Sequence, residues 1–212
     1  MNQITANIVA LKKHLGRTCL IAVSKQQPDH RIDAALEAGQ RIFGENRVQE
    51  AQGRWMERRA RYPDLVLHLI GPLQTNKVRD AVALFDVIET IDRIKLADAV
   101  LAESRKQNRT IACFIQVNTG GEEQKAGVSL RDFKPLLHHC RAIGLAIDGL
   151  MTIPPVDEPP ALHFALLKKM AAENGLKQVS MGMSGDFEKA IALGATHVRI
   201  GTGVFGVRPG AD

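Results

Sequence analysis

Short apolar runs alternate along this chain with stretches in which apolar residues return every three or four positions. Ile4, Ile8, Leu11 and Leu15 have the second spacing and predict a helix over residues 1–16. Cys19 to Ser24 is dense in apolar residues and predicts a buried strand, with Pro28 closing the turn after Lys25. Residues 28–38 then predict a helix through Ile32, Ala35 and Leu36, stopped at Gly39. The couplet recurs, with strands predicted at 41–44, 65–70, 86–91, 110–117, 145–153, 179–183 and 197–200. The helices between them carry Val48 and Trp55, then Val78, Val82 and Phe85, then Leu96 and Val100 behind an Asp92 cap. Ser129 opens the next, through Leu136, Leu137 and Cys140 to Gly144; Leu162, Leu166 and Met170 mark another, and residues 186–193 the last.

Strict β-then-α order implies a parallel sheet. Eight such units favour an α/β fold of one domain over 1–212, a single (β/α)8 TIM-type barrel with an extra N-terminal helix. An open doubly wound sheet competes, because the strands around Ile42 and Val87 are short. The barrel makes a demand: chemistry should gather where strands end. Lys25 follows the first strand, Glu45 and Asn46 end the second, and Gly71, Gln74 and Asn76 follow the third. Met151 and Thr152 end the sixth, Ser180, Gly182 and Ser184 run off the seventh, and Gly201-Thr202-Gly203 runs off the eighth. The helix-to-strand turns (Ala-Gly-Gln, Tyr-Pro-Asp, Ile-Gly-Leu) are plain caps.

Lys25 at the mouth of an apolar strand is either a solvated loop residue or something more. Desolvation favours the neutral, nucleophilic amine, which is the chemistry of a Schiff-base lysine. Ser184-Gly185-Asp186 and Gly201-Thr202-Gly203 lie on the two strands where barrels often hold phosphate, and glycine with a hydroxyl suits that task. Gly201 to Gly206 also spells G-x-G-x-x-G, but a dinucleotide site needs a following helix within a βαβ unit, and the sequence stops at Asp212. Arg199 shares strand parity with Gly201 and should point to the barrel axis, as a permanent charge or a structural ion pair.

Composition narrows the classes. With 45% hydrophobic and 24% charged residues, the chain is an ordinary globular protein. It lacks the apolar run of roughly 18 residues that a membrane helix needs, and a secretory h-region. Cys19, Cys113 and Cys140 lack metal-ligand spacing and read as reduced core thiols of a cytoplasmic protein; no metal site is expected. The net charge of +5 has its densest cluster at Arg54, Arg58, Arg59 and Arg61, which reads as a solvated helix face. One Trp and one Tyr are too few for base stacking, which argues against nucleic acid.

The residues Ala22-Val23-Ser24-Lys25, Phe43-Gly44-Glu45-Asn46 with Val48-Gln49-Glu50, and His68 through Lys77 carry a resemblance. So do Gly149-Leu150-Met151, Ser180 through Ser184 with Asp186, and Val198 through Thr202 with Phe205-Gly206. Together they resemble the pyridoxal 5′-phosphate homeostasis protein family, whose fold is similar to the barrel domain of alanine racemase. The resemblance implies that Lys25 holds pyridoxal phosphate as an internal aldimine. It also implies that Ser180, Ser184, Gly201 and Thr202 hold the phosphate, Asn46 lines the pocket and Arg199 faces the pyridine nitrogen. Arg47 stands where that family often has tyrosine.

Racemisation needs acid/base groups on both faces of a carbanion. Tyr62 falls in a turn on the far rim, and His68 lies within a strand, where a packed role is favoured. The expectation is therefore a non-catalytic monomer that stores the cofactor or transfers it transiently to apoenzymes, with no catalytic residue. A pyridoxal phosphate-dependent amino-acid racemase is the alternative, and aldolase-type chemistry at Lys25 ranks last.

Overall fold

The structure is a computed structural model that describes residues 2–122 and 124–207. The single-domain expectation over 1–212 extends past those residues at both ends. Among them, β1 (Cys19–Val23), β2 (Ile42–Glu45), β3 (Val66–Leu69) and β4 (Val87–Ile91) pair in parallel in chain order. They continue through β5 (Ala112–Gln116), β6 (Ile147–Met151), β7 (Gln178–Ser180) and β8 (His197–Ile200). β8 returns to β1, with Ile21 opposite Arg199, so the sheet closes into a barrel. The open-sheet alternative is thereby excluded, and both short strands take their places in the ladder.

Side-chain alternation explains the two layers. Leu20, Ala22, Phe43, Leu67, Leu69, Ile88, Ile115, Val179 and Val198 belong to the large core that packs beneath the helices. Those helices are α1 (Gln3–Leu15), α2 (Asp29–Glu37), α3 (Val48–Arg61), α4 (Val78–Leu84) and α5 (Ile94–Lys106). α6 (Phe133–Ile143), α7 (Pro160–Glu173), α8 (Phe187–Ala192) and the single turn α9 (Thr202–Phe205) complete the shell. Each large apolar side chain fully buried there contributes roughly 1.5–3 kcal/mol. The opposite parity faces the barrel axis. It supplies a small apolar cluster of Val87, Phe114 and Met151, together with the buried polar residues His68, Glu89, Gln116, Ser180 and Arg199.

Several expectations need correction. The seventh strand ends at Ser180 rather than 183, because Gly182 turns at φ 94° and its carbonyl accepts the Arg199 amide instead of continuing the ladder. The helix expected from Ser129 begins at Phe133; Ser129 Oγ accepts the Asp132 amide in a turn before it. Asp92 does not cap α5, whose N-cap position is Arg93, and binds the Arg93 guanidinium instead.

The basic stretch of α3 is the largest correction, because three of its four arginines are stapled to neighbouring elements. Arg54 and Arg58 are 14% and 12% exposed, and their partners are Glu45, Glu50, Asp29 and Asp33. Arg59 pairs with Asp86. The spacing of basic residues gave no sign of these partners, which, apart from Glu50 on α3 itself, come from elsewhere in the chain.

α1 packs on α2 and α9, burying Ile4, Ile8 and Leu15, and Asn7 donates to the Val204 carbonyl at 3.0 Å. A one-turn helix therefore does follow Gly201, and it docks on α1. No helix among the described residues is long and apolar enough to cross a membrane, and no metal-binding cluster occurs among them. The cysteines are free thiols, and burial pushes Cys19 and Cys140 up to about 11.

Candidate functional site

Lys25 keeps the parity of Ile21 and Val23, so it enters the barrel mouth two residues beyond the end of β1. It lines a cavity of about 260 Å³ with Asn46, Ser184, Arg199, Gly201 and Thr202. Val23, Ile70, Ile153, Met183 and Gly185 complete the lining. Strands β1, β2, β3, β6, β7 and β8 thus all send their C-terminal ends to one rim, as the barrel demands. Among the described residues no carboxylate lines the cavity; its donors are an amine, a guanidinium, two hydroxyls, the Asn46 amide and glycine-loop backbone.

The Lys25 turn is held from behind. Gln26 has φ 57°, a left-handed conformation that a non-glycine residue adopts only under constraint. Its amide donates to Glu50 Oε1 at 2.8 Å. Arg54 donates to the carbonyls of Ser24 (2.9 Å) and Gln27 (3.2 Å), gripping both ends of the turn. Arg54 also reaches Glu45 Oε1 (3.1 Å), which accepts from Ser24 Oγ (2.8 Å) and Trp55 Nε1 (3.0 Å) as well. Glu45 is fully buried behind β2, and desolvation raises its carboxyl despite the Trp55, Ser24 and Arg54 donors.

Asn46 is placed by a close backbone approach. A Cβ at Gly71 would lie 2.3 Å from the Asn46 carbonyl oxygen, so only glycine fits there. The two hydroxyl loops also touch, since Gly203 N–H donates to Ser184 Oγ at 3.3 Å. The Met183 amide donates to Asp186 Oδ1 at 2.6 Å, folding the first loop back on itself.

Beneath the cavity floor lies a chain of bonds that crosses the barrel. Arg199 Nη1 donates to Ser180 Oγ and Nη2 to the Thr152 carbonyl, each at 2.7 Å. Ser180 Oγ donates to Glu89 Oε2 at 2.6 Å, and Glu89 Oε1 lies 2.7 Å from His68 Nδ1. Burial alone would raise the Glu89 carboxyl; the His68 bond, the Arg199 charge and the Ser180 hydroxyl outweigh it and hold it below its usual value. Burial lowers Arg199, with Glu89 and Asp186 opposing, and a guanidinium remains a cation under these conditions. His197, beside this chain, is pushed down to about 4, first by burial and then by His68 and Arg199.

Six of the seven expected site residues therefore meet at the cavity, and Ser180 does not line it. Its hydroxyl is committed between Arg199 and Glu89. Arg47 is exposed at the N-terminus of α3 and lines a neighbouring cleft with Gln49, Gln74 and Lys77. Tyr62 lies at the far end of α3, under the guanidinium groups of Arg41 and Arg61.

Residues 1–209 match the family described as alanine racemase, N-terminal domain. The chain is 41% identical over 224 residues to a pyridoxal phosphate homeostasis protein of Vibrio cholerae, covering 98% of this chain and 94% of that one. The chain belongs to the pyridoxal phosphate homeostasis protein family. The solved structure of PipY from Synechococcus elongatus without pyridoxal phosphate shares 38% identity and superimposes with a TM-score of 0.91, covering 96% of this chain and all of the other. PipY with pyridoxal phosphate bound superimposes with a TM-score of 0.87 at 37% identity, with the same coverage.

Glu89, His68, Glu50 and Arg54 are the working residues that pattern reading passed over or assigned elsewhere. Glu89 did leave a signal: it is an acid in the apolar strand Val87-Ile88-Glu89-Thr90-Ile91, on the parity of Val87. An acid so placed must find partners inside the fold.

Proposed function

We propose that this chain binds pyridoxal 5′-phosphate in the rim cavity through Lys25, and stores or passes on the cofactor without turning over a substrate. The observation that carries the reading is the meeting of Lys25, Arg199 and both hydroxyl–glycine loops in one cavity whose described lining residues include no carboxylate. That donor set fits an aromatic aldehyde bearing a phosphate. The cofactor supplies a carbonyl carbon that one amine can attack, and Lys25 is the amine. Ser184, Gly201 and Thr202 hold the phosphate, Asn46 borders the ring and Arg199 lies at its nitrogen. Ser180 serves this site from below, through Arg199.

The carrier half of the proposal rests on proton chemistry. Arg199 stays protonated and disfavours a second proton at the ring nitrogen, which weakens the ring as an electron sink. A racemase needs a proton-transfer group on each face. Among the described residues, Lys25 is the lining side chain suited to give and take a proton, and the Ser184 and Thr202 hydroxyls are poor substitutes. The family relationship supports the same reading, since the relatives at about 40% identity are named for homeostasis of this cofactor. We further propose a cytoplasmic monomer that meets cofactor-dependent apoenzymes transiently.

Titration of the protein with pyridoxal phosphate tests the first half: a visible absorption band should form and be lost in Lys25→Ala. A wild type that stays colourless refutes binding. Chiral analysis of alanine and other amino acids after long incubation tests the second half, and sustained racemisation refutes the carrier. Size-exclusion chromatography across a range of concentrations tests the monomer.

A further inference from the structure

Arg199 is not an isolated cation in a cavity wall. Its guanidinium is gripped at Nη1 by Ser180 Oγ and at Nη2 by the Thr152 carbonyl, and it is 3% exposed. Behind Ser180 stands Glu89 on β4, a fully buried carboxylate 4.0 Å from Arg199 Nη1. Each bond in this chain has one donor and one acceptor. Ser180 O–H donates to Glu89 Oε2 and Arg199 N–H donates to Ser180 Oγ, while His68 Nδ1 and Glu89 Oε1 share one proton across 2.7 Å. The Arg199 charge 4.0 Å away favours an ionised Glu89, which then accepts at both oxygens with His68 Nδ1–H as the second donor.

We infer that Glu89 is a positioning residue for Arg199: acting through Ser180, it fixes the guanidinium at the cavity floor and balances its charge. A buried cation without a counter-charge would be costly, and one held by a carbonyl alone could rotate away. Glu89 supplies the counter-charge from across the barrel without entering the cavity, where a carboxylate would repel a phosphorylated ligand. His68 takes the second oxygen of Glu89, so the carboxylate cannot turn from Ser180. The Thr152 end is anchored separately: its hydroxyl donates to the Val117 carbonyl at 2.9 Å and meets Thr119 Oγ1 at 3.0 Å. This inference rests on the proposal that pyridoxal phosphate occupies the Lys25 cavity with Arg199 at its ring.

The test is a double-mutant cycle read by pyridoxal phosphate titration, with circular dichroism reporting the fold. Glu89→Gln and Ser180→Ala should keep the Lys25-dependent band, raise the Kd for pyridoxal phosphate by about tenfold, and shift the pH dependence of the band. In an Arg199→Gln background, the same two substitutions should cause no further loss, since Glu89 acts only through Arg199. A wild-type Kd and pH profile in both single variants overturns the inference, as does a full additional loss in the Arg199→Gln background. Ser180→Ala removes one hydroxyl and decides the matter if Glu89→Gln does not fold. A wild type that forms no band defeats the underlying proposal instead, which keeps the two failures apart.

Discussion

Arg54→Ala should destabilise the protein far more than an arginine on a helix face would suggest. The substitution removes donors to the Ser24 and Gln27 carbonyls and to Glu45 and Glu50. It leaves Glu45, whose side chain is 0% exposed, with the neutral donors Ser24 and Trp55. Breaking one side of a buried ion pair costs about 3–5 kcal/mol. Arg54 is itself 14% exposed and Glu45 can escape by taking a proton, so the lower end, about 3 kcal/mol, is expected at pH 7.5. For a chain of 212 residues that corresponds to a fall in Tm of about 6–12 °C.

The pH dependence gives a second check. The Glu45 carboxyl is raised in the fold, so its contribution to stability is present at low pH and lost as pH rises above its ordinary value of 4.5. Without Arg54 the folded value rises further, and the variant's deficit should be largest at pH 7.5 and shrink toward pH 5. Urea unfolding followed by fluorescence of Trp55, the single tryptophan, reads this directly, because its indole N–H donates to Glu45. A loss under about 1 kcal/mol at pH 7.5, in the range of an exposed ion pair, or a deficit that grows on acidification would refute the reasoning.

Gly71→Ala places a Cβ 2.3 Å from the Asn46 carbonyl oxygen and 2.7 Å from its Cα, both backbone atoms, and should cost about 1–3 kcal/mol. Because the strain falls on Asn46, the Kd for pyridoxal phosphate should rise with it; unchanged unfolding and binding curves would show that the rim yields freely. Acidification should also expose His197, whose value falls from 6.5 to about 4 in the fold. The unfolded chain binds this proton first, so stability should drop as pH falls from about 6.5 to about 4, by up to about 3 kcal/mol. His197→Gln should flatten that part of the pH–stability curve, and an equal slope in the variant would exclude His197 as its source.

The backbone plan was legible in the residues because it depends on local periodicity. Strand runs alternate with helical spacing, and helix-ending glycines such as Gly144, which adopts φ 82° after α6, punctuate them. The same parity that builds strands put Lys25 and Arg199 on the inner face and gathered six of the seven expected residues at one cavity. Where the chain leaves the ladder was less legible, as at Ser180, because Gly182 can continue a strand or turn it.

What the tertiary structure alone decided is which polar group meets which. Arg54 looks like one of four similar arginines along a helix, yet it clamps the Lys25 turn because α3 packs directly behind that turn. Ser180 looks like a rim hydroxyl beside Ser184, yet it is held below the cavity by Glu89, 91 residues away in sequence. Periodicity records which face a residue occupies. Partnership across a closed barrel depends on register and on which strands lie opposite, and that information exists only once the sheet has closed.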